Sequence, residues 1–182
     1  MTTPSTAAEA GLSRSALYRA AKAGEYVRIA RGIYLPADAA VDWELVEAVV
    51  RRPQATVCLT SALVHHELSD VLPDSLDVAI PRGARVPATD AAIDWHLFDA
   101  DSYAVGRVDM AIPGSDLSIG IYTPERCIVD CFRLRGQVGY ESGREALKEW
   151  LRRGGRPAAL MDIAEQLPRA RTPVLRALEV LT

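Results

Sequence analysis

Lysine is nearly absent from this chain, which holds only Lys22 and Lys148 among its 182 residues. A magnesium-dependent nuclease assembled on strand acids such as Asp77, Asp94 or Asp109 would need a lysine a short distance beyond the acid. Neither lysine lies there. Cysteine is sparse as well: the three residues form an odd set without framework spacing, so they point to a reducing compartment rather than a disulfide scaffold. No GxGxxG segment follows a strand, no GK[ST] loop is present, and no GxSxG elbow or recognisable Ser, His and Asp arrangement occurs. These absences lead us to expect no enzyme activity and no cofactor. No apolar run approaches the length of a membrane span, and the opening MTTPSTAAEAG lacks the basic and apolar regions of a signal peptide. A soluble, cytoplasmic protein without a membrane partner is therefore expected.

What the chain does have is ample apolar content and an uneven charge. Hydrophobic residues make up 49% of it, enough for a sizeable core. The formal net charge is only −3, yet residues 1 to 35 carry five basic side chains against two acidic ones. The remainder carries the compensating negative excess. Such a split suits an N-terminal face that meets nucleic acid and a body that does not.

The N-terminal segment has the order of a winged helix-turn-helix. Thr6 to Ala10 reads as a short helical turn, Gly11-Leu12 as the break, and Ser13 as the N-cap of a second helix running to about Ala23. Gly24 stops that helix. Tyr26 to Ile29 and Ile33 to Leu35, around Ala30-Arg31-Gly32, then read as a tight hairpin. On the second helix Arg14, Tyr18 and Lys22 share one face with Ser15 and Arg19 beside them, while Leu17, Ala20 and Ala21 turn inward. Arg and Lys neutralise phosphates or donate to guanine edges, and Ser and Tyr hydrogen-bond phosphate oxygens. The DNA-binding set expected from the residues is therefore Ser13, Arg14, Ser15, Tyr18, Arg19 and Lys22 on the helix, with Arg28 and Arg31 on the wing.

Beyond the wing, Trp43, Val46, Val49 and Val50 give a helical period that Pro53 stops, so residues 41–55 read as a connector helix and linker, with Trp43 a packing anchor. Residues 56–182 read as one α+β unit. Thr60 or Ser61 is expected to cap a helix ending near Ser69-Asp70. Alternation at Leu76/Val78/Ile80, Ile93/Trp95/Leu97, Val108/Met110/Ile112 and Leu117/Ile119/Ile121 predicts strands with one buried face, placing Asp77 and Asp109 toward solvent. Thr123-Pro124-Glu125 opens a helix to about Arg135, a second spans about Glu141 to Arg153, and two more follow. The fold class is thus α+β: a winged helix-turn-helix over residues 1–40, followed by a mixed sheet-and-helix domain with a helical C-terminus.

Two clusters invite a metal and are read otherwise. His65-His66-Glu67 are adjacent on a helix and diverge by about 100° each, so they do not share one site. Cys127 and Cys131 sit on an apolar stripe with Ile128 and Phe132, which reads as core. No metal site is expected. The Arg152 to Arg156 cluster reads as a surface loop, with charged neighbours forming a solvated face.

The segment GLSRSALYRAAKAGEYVRIARGIYL resembles the N-terminal winged helix-turn-helix of AbiEi-type antitoxins, and TSALVHHEL, LDVAIPRG and TPERCIVDCFRLR resemble segments of the same proteins' C-terminal region. The resemblance implies an antitoxin of a type IV toxin–antitoxin system that represses its own operon and counteracts a co-encoded nucleotidyltransferase-like toxin. By position it makes Ser13 to Ala23 the recognition helix and centres the wing on Arg31-Gly32. Its partners would be double-stranded operator DNA and the toxin. A single winged module reads a short site, so two copies are expected to bind cooperatively on inverted repeats. Few residues precede Thr6, so the connector helix 41 to 52 is expected to cover the small module. A protein-interaction module that neutralises its partner directly, and a plain regulator without a toxin, stay open as alternatives.

Overall fold

The computed structural model describes residues 13–30, 32–134, 136 and 140–181; the expected helical turn at Thr6 to Ala10 lies outside them. Helix α1 (Arg14–Lys22) leads into a hairpin of β1 (Tyr26–Ala30) and β2 (Ile33–Pro36), and α2 (Trp43–Arg51) follows. The body then comprises β3 (Thr56–Val57), α3 (Leu59–His65), β4 (Leu76–Pro81), β5 (Ile93–Phe98), β6 (Arg107–Ala111) and β7 (Ser118–Tyr122). It closes with α4 (Pro124–Arg133), α5 (Tyr140–Arg152), α6 (Pro157–Gln166) and α7 (Arg171–Leu181). This is the α+β architecture, with helices collected at the C-terminus.

The five strands of the body form one mixed sheet in the order β5-β4-β3-β7-β6. Strand β3 is only two residues long, yet it holds the centre, antiparallel to β4 and parallel to β7. No alternation announces so short a strand, and the sequence reading missed it. Its burial has a consequence for its neighbours. Val78, Ala79 and Ile80 of β4 and Ile119 to Tyr122 of β7 are buried on both faces, not on one as expected. The outer strands behave differently again: Leu97 on β5 and Val108 on β6 stay 44% and 47% exposed. Asp77 also departs from expectation. Its carboxylate is 15% exposed and receives His96 Nε2 at 2.8 Å and the Ser61 backbone N–H at 3.3 Å, so it faces α3 and β5 rather than solvent. Asp109 is on the open side, 68% exposed and paired with Arg107.

Helix α3 starts at Leu59 with Cys58 in the cap position and ends at His65, earlier at both ends than the Thr60 or Ser61 cap and Ser69-Asp70 stop that were expected. The Ser61 hydroxyl is instead occupied with the backbone N–H of Asp77 at 2.8 Å. Helix α4 opens as expected, with Thr123 Oγ1 accepting from the Arg126 N–H and Pro124 in the first turn. It runs through the centre of the helical layer, packed on α3, α5, α6 and α7. Gly143 on α5 permits one of these contacts, since a Cβ there would sit 2.8 Å from Cys131 Cβ.

Helix α2 ties the hairpin to the sheet. Asp42 caps it by accepting from the Leu45 N–H, and Leu45, Val46 and Ala48 join one core with Ile29 and Leu35 of the hairpin and Val57 and Val78 of the sheet. On its other side the buried Glu47 accepts the backbone N–H groups of Asp90 and Ala91 at 3.1 and 2.8 Å and pairs with Arg51. Trp43 packs against the same core, as expected of an anchor.

A buried charge organises the body. Arg126 is fully buried, its Nε 2.9 Å from Asp130 Oδ2 and its Nη1 donating to the carbonyls of Ser102 and Val105 at 2.9 and 2.6 Å. The guanidinium lies 4.2 Å from the Tyr122 ring centroid, and Arg133 supplies a second cation to Asp130 at 2.6 Å. Removing one partner of such a group leaves an uncompensated charge out of water. Asp130→Ala is expected to destabilise the protein by about 3–5 kcal/mol in urea unfolding; a loss below about 1 kcal/mol, the worth of an ordinary surface pair, would show that the cluster is not structural.

Cys127 and Cys131 are core residues, as read from the stripe, and Cys58 is buried as well. Burial, reinforced by the negative charge of Asp130, pushes Cys131 from 9.0 up to about 12, and burial drives Cys58 and Cys127 well above 9.0 as well. The folded chain therefore holds these protons more tightly than the unfolded one, so this share of stability is whole below about pH 9 and declines as pH rises from there. The denaturation midpoint is expected to fall between pH 9 and pH 11 and to fall less in Cys131→Ala; equal slopes in both proteins would contradict this origin.

Candidate nucleic-acid interface

Helix α1 is held by its own cap and by a small apolar contact. Ser13 Oγ accepts from the Ala16 N–H at 3.1 Å and also lies 3.1 Å from Ser15 Oγ, so Ser13 starts the helix and leaves Ser15 beside it on the exposed side. Leu17 and Tyr34 are fully or almost fully buried against each other, with Ala21 and Tyr26 packed around them. Gly24, at φ +83°, turns the chain out of the helix into the hairpin.

The opposite face of α1 is polar and open. Ser15, Tyr18, Arg19 and Lys22 are all exposed, with Tyr18 standing edge-on to Tyr34 at 6.0 Å. That contact fixes the ring of Tyr18 while 45% of the residue stays accessible. The helix contains no acidic residue, and its basic residues Arg19 and Lys22 occupy the last turn. On the hairpin, Arg28 is exposed and its Nε donates to the Ala30 carbonyl at 3.3 Å. The strand pairing slips between Arg28 and Ala30, where the register passes from Arg28↔Tyr34 to Ala30↔Ile33. This bulge lets Ile29 turn into the core while Arg28 stays out. The side chain of Arg14 and the whole of Arg31 lie outside the described residues, so six of the expected contacts can be placed: Ser13, Ser15, Tyr18, Arg19, Lys22 and Arg28. All six are exposed.

Comparison with α5 separates this face from an ordinary solvated helix. There Arg144, Lys148, Arg152 and Arg153 each pair with a glutamate, and Arg152 and Arg153 hold the Glu149 carboxyl down at about 2. Among the described residues no ion pair engages Arg19, Lys22 or Arg28. Cations left without carboxylates on a short, capped helix are available to an outside anion. At about 1.5 Å per residue the nine residues are about 13 Å long, and a helix about 10–12 Å across with its side chains can lie along a major groove about 12 Å wide.

The remaining polar clusters are differently committed. Asp77 and Asp94 are register partners on β4 and β5, but Asp77 is engaged by His96 and Ser61, and Asp94 accepts from Ser75 Oγ at 2.6 Å. His66 is half-buried with Nε2 2.7 Å from the Tyr122 carbonyl, while its neighbour His65 is exposed. Among the described residues no group of three or more His, Cys, Asp or Glu is placed to hold a metal ion. Nor is any described helix long and apolar enough to cross a membrane.

Residues 3–37 match the family described as "Transcriptional regulator, AbiEi antitoxin". The match covers α1 and the hairpin, so the N-terminal module is of that type. Among solved structures the chain is similar to the crystal structure of the RV2827C protein from Mycobacterium tuberculosis, with 19% identity, a TM-score of 0.52, and coverage of 96% of this chain and 71% of that one. This likeness is one of fold. No curated protein matches the chain.

Proposed function

We propose, starting from an N-terminal module of the AbiEi antitoxin and transcriptional-regulator type, that this protein is a DNA-binding autoregulator acting in the cytoplasm. In this reading α1 enters the major groove of an operator upstream of its own gene, presenting Ser15, Tyr18, Arg19 and Lys22 together with Arg14. Arg28 and Arg31 of the wing meet the backbone. The observation that carries the reading is that α1 holds no acidic residue and that, among the described residues, no ion pair engages its Arg19 or Lys22, set against the paired charges of α5. A cation already paired gains little from a phosphate, whereas an unpaired one releases counterions when it binds.

Residues 1–40 are the reading module in this scheme, residues 41–55 the connector, and residues 56–182 the antitoxin and interaction domain. The resemblance of the body to the same family supports the second half of the reading, in which the protein counteracts a co-encoded nucleotidyltransferase-like toxin. A module this small reads a short site, and two copies on inverted repeats would supply the length of a specific operator.

In fluorescence anisotropy with DNA from upstream of the gene, the Arg19→Ala/Lys22→Ala protein is expected to bind more weakly. The slope of its log affinity against log salt should shallow by about 2, near 0.9 for each phosphate contact removed. Asp109→Ala, on the far strand β6, is expected to bind as the parent does. Parental affinity and slope in the double variant would refute the assignment of this face. For the toxin, co-expression with the neighbouring nucleotidyltransferase-like gene is expected to restore growth. Rescue without co-purification would indicate indirect antagonism, and a stable complex would indicate direct neutralisation. Failure to rescue would leave a plain regulator.

A further inference from the structure

The outer strand β5 borders a cleft of about 590 Å³ remote in sequence from α1 and the wing. Three arginines line it from three separate elements: Arg82 just beyond β4, Arg133 at the end of α4, and Arg169 in the link between α6 and α7. Phe98 and Trp95 of β5 contribute the apolar side, and Asp99 is the acid on its wall. Of the lining side chains that carry polar atoms, the three arginines and Trp95 can only donate, Asp99 accepts, and His96 is engaged through Nε2 with Asp77 at 2.8 Å. Among the described residues no ion pair engages Arg82 or Arg169, and the indole N–H of Trp95 is buried with no hydrogen-bond partner.

Arg133 differs from the other two in being 10% exposed and fixed in place. It donates to Asp130 Oδ1 through Nε at 3.1 Å and through Nη2 at 2.6 Å, and its guanidinium lies 5.8 Å from the Phe98 ring centroid. Asp130 is shared between Arg126 and Arg133, so one carboxylate answers two guanidinium groups. With Asp99 set against Arg82 and Arg169, the local balance remains positive by two. Arg169 also holds a left-handed backbone, at φ +62°, a conformation that a side-chain-bearing residue adopts only where its surroundings enforce it.

A concave, donor-lined space with this excess selects an acceptor-rich anion of about two charges. We propose that the cleft is a binding site for a small phosphomonoester, with Arg82 and Arg169 grasping the phosphate at the mouth and Arg133 presenting charge from the floor. Arginine forks match phosphate oxygens bidentately, and the volume lies in the range of small-ligand sites. A duplex backbone has the same chemistry, but a rod does not reach a floor residue as buried as Arg133. The site therefore takes a compact ligand.

Full-length protein is titrated by calorimetry with inorganic phosphate, adenosine monophosphate and adenosine, and separately with a duplex of random sequence. Phosphate and adenosine monophosphate are expected to saturate one site and adenosine to give no heat. Arg82→Gln/Arg169→Gln should weaken adenosine monophosphate binding at least tenfold with an unchanged Tm, both side chains being at the surface. Binding of operator DNA through α1 should survive in that variant, which separates this site from the DNA-reading face. Absence of saturable phosphate or mononucleotide binding would overturn the proposal. So would binding that the double variant retains, or a variant that loses only the random duplex, which would make the arginines a nucleic-acid track.

Discussion

A guanidinium taken fully out of water dictates much of this fold. Arg126 reaches Asp130 one helical turn away, the carbonyls of Ser102 and Val105 in the loop before β6, and the face of Tyr122 at the end of β7. Its stem also bears on Gly106, where a Cβ would lie 2.7 Å from that of Arg126 and where φ is +68°. Any other residue at 106 would have to displace the helix that carries the charge. Desolvation of such an ion costs several kcal/mol and is offset only when its partners are well aligned. Helix, loop and sheet are thereby committed to one arrangement, and Tyr122 in turn donates to the Tyr103 carbonyl at 2.9 Å.

That committed body positions the N-terminal module through α2. Among its described residues the module by itself buries little: Leu17 and Tyr34 are its own core, with Ala21 and Tyr26 beside them. Ile29 and Leu35, the other apolar residues buried among its described positions, belong to the core they share with α2 and the sheet. The wing is thus a seam between module and body, and the bulge at Ile29 lets one short strand face both ways. Because Glu47 fixes the other side of α2 to the backbone of Asp90 and Ala91, α1 is offered on a supported platform rather than a loose arm. Rigid presentation lowers the ordering cost of binding, which matters for a helix of only nine residues.

The sequence was legible where local chemistry decides structure. Ser13, Asp42 and Thr123 are caps with side-chain oxygens, Gly24 and Pro124 punctuate, and the period of α1 already separated Leu17 from Tyr18, Arg19 and Lys22. It was poorly legible where tertiary context decides. Two residues of β3 carry no periodicity, yet their central place buries both faces of β4 and β7. Asp77 alternates with apolar neighbours as a solvent-facing residue would, but His96 on the next strand and Ser61 on α3 claim it. The spacing of Arg126 and Asp130 is visible as an i,i+4 pair of the kind that usually decorates a surface, and only the partners on distant segments make it a core element. The cleft beside β5 was invisible for the same reason, since Arg82, Arg133 and Arg169 are brought together by the fold and by nothing in their local sequence.

The claim on which the functional reading turns is that α1 and the wing are where DNA sits. Hydrogen–deuterium exchange of the full-length protein, with and without duplex from upstream of its gene, tests it most directly. The account expects slowed exchange confined to Arg14–Lys22 and to Tyr26–Pro36, with the sheet and the C-terminal helices unchanged. Slowed exchange in the body while α1 and the hairpin exchange as in the free protein would contradict it.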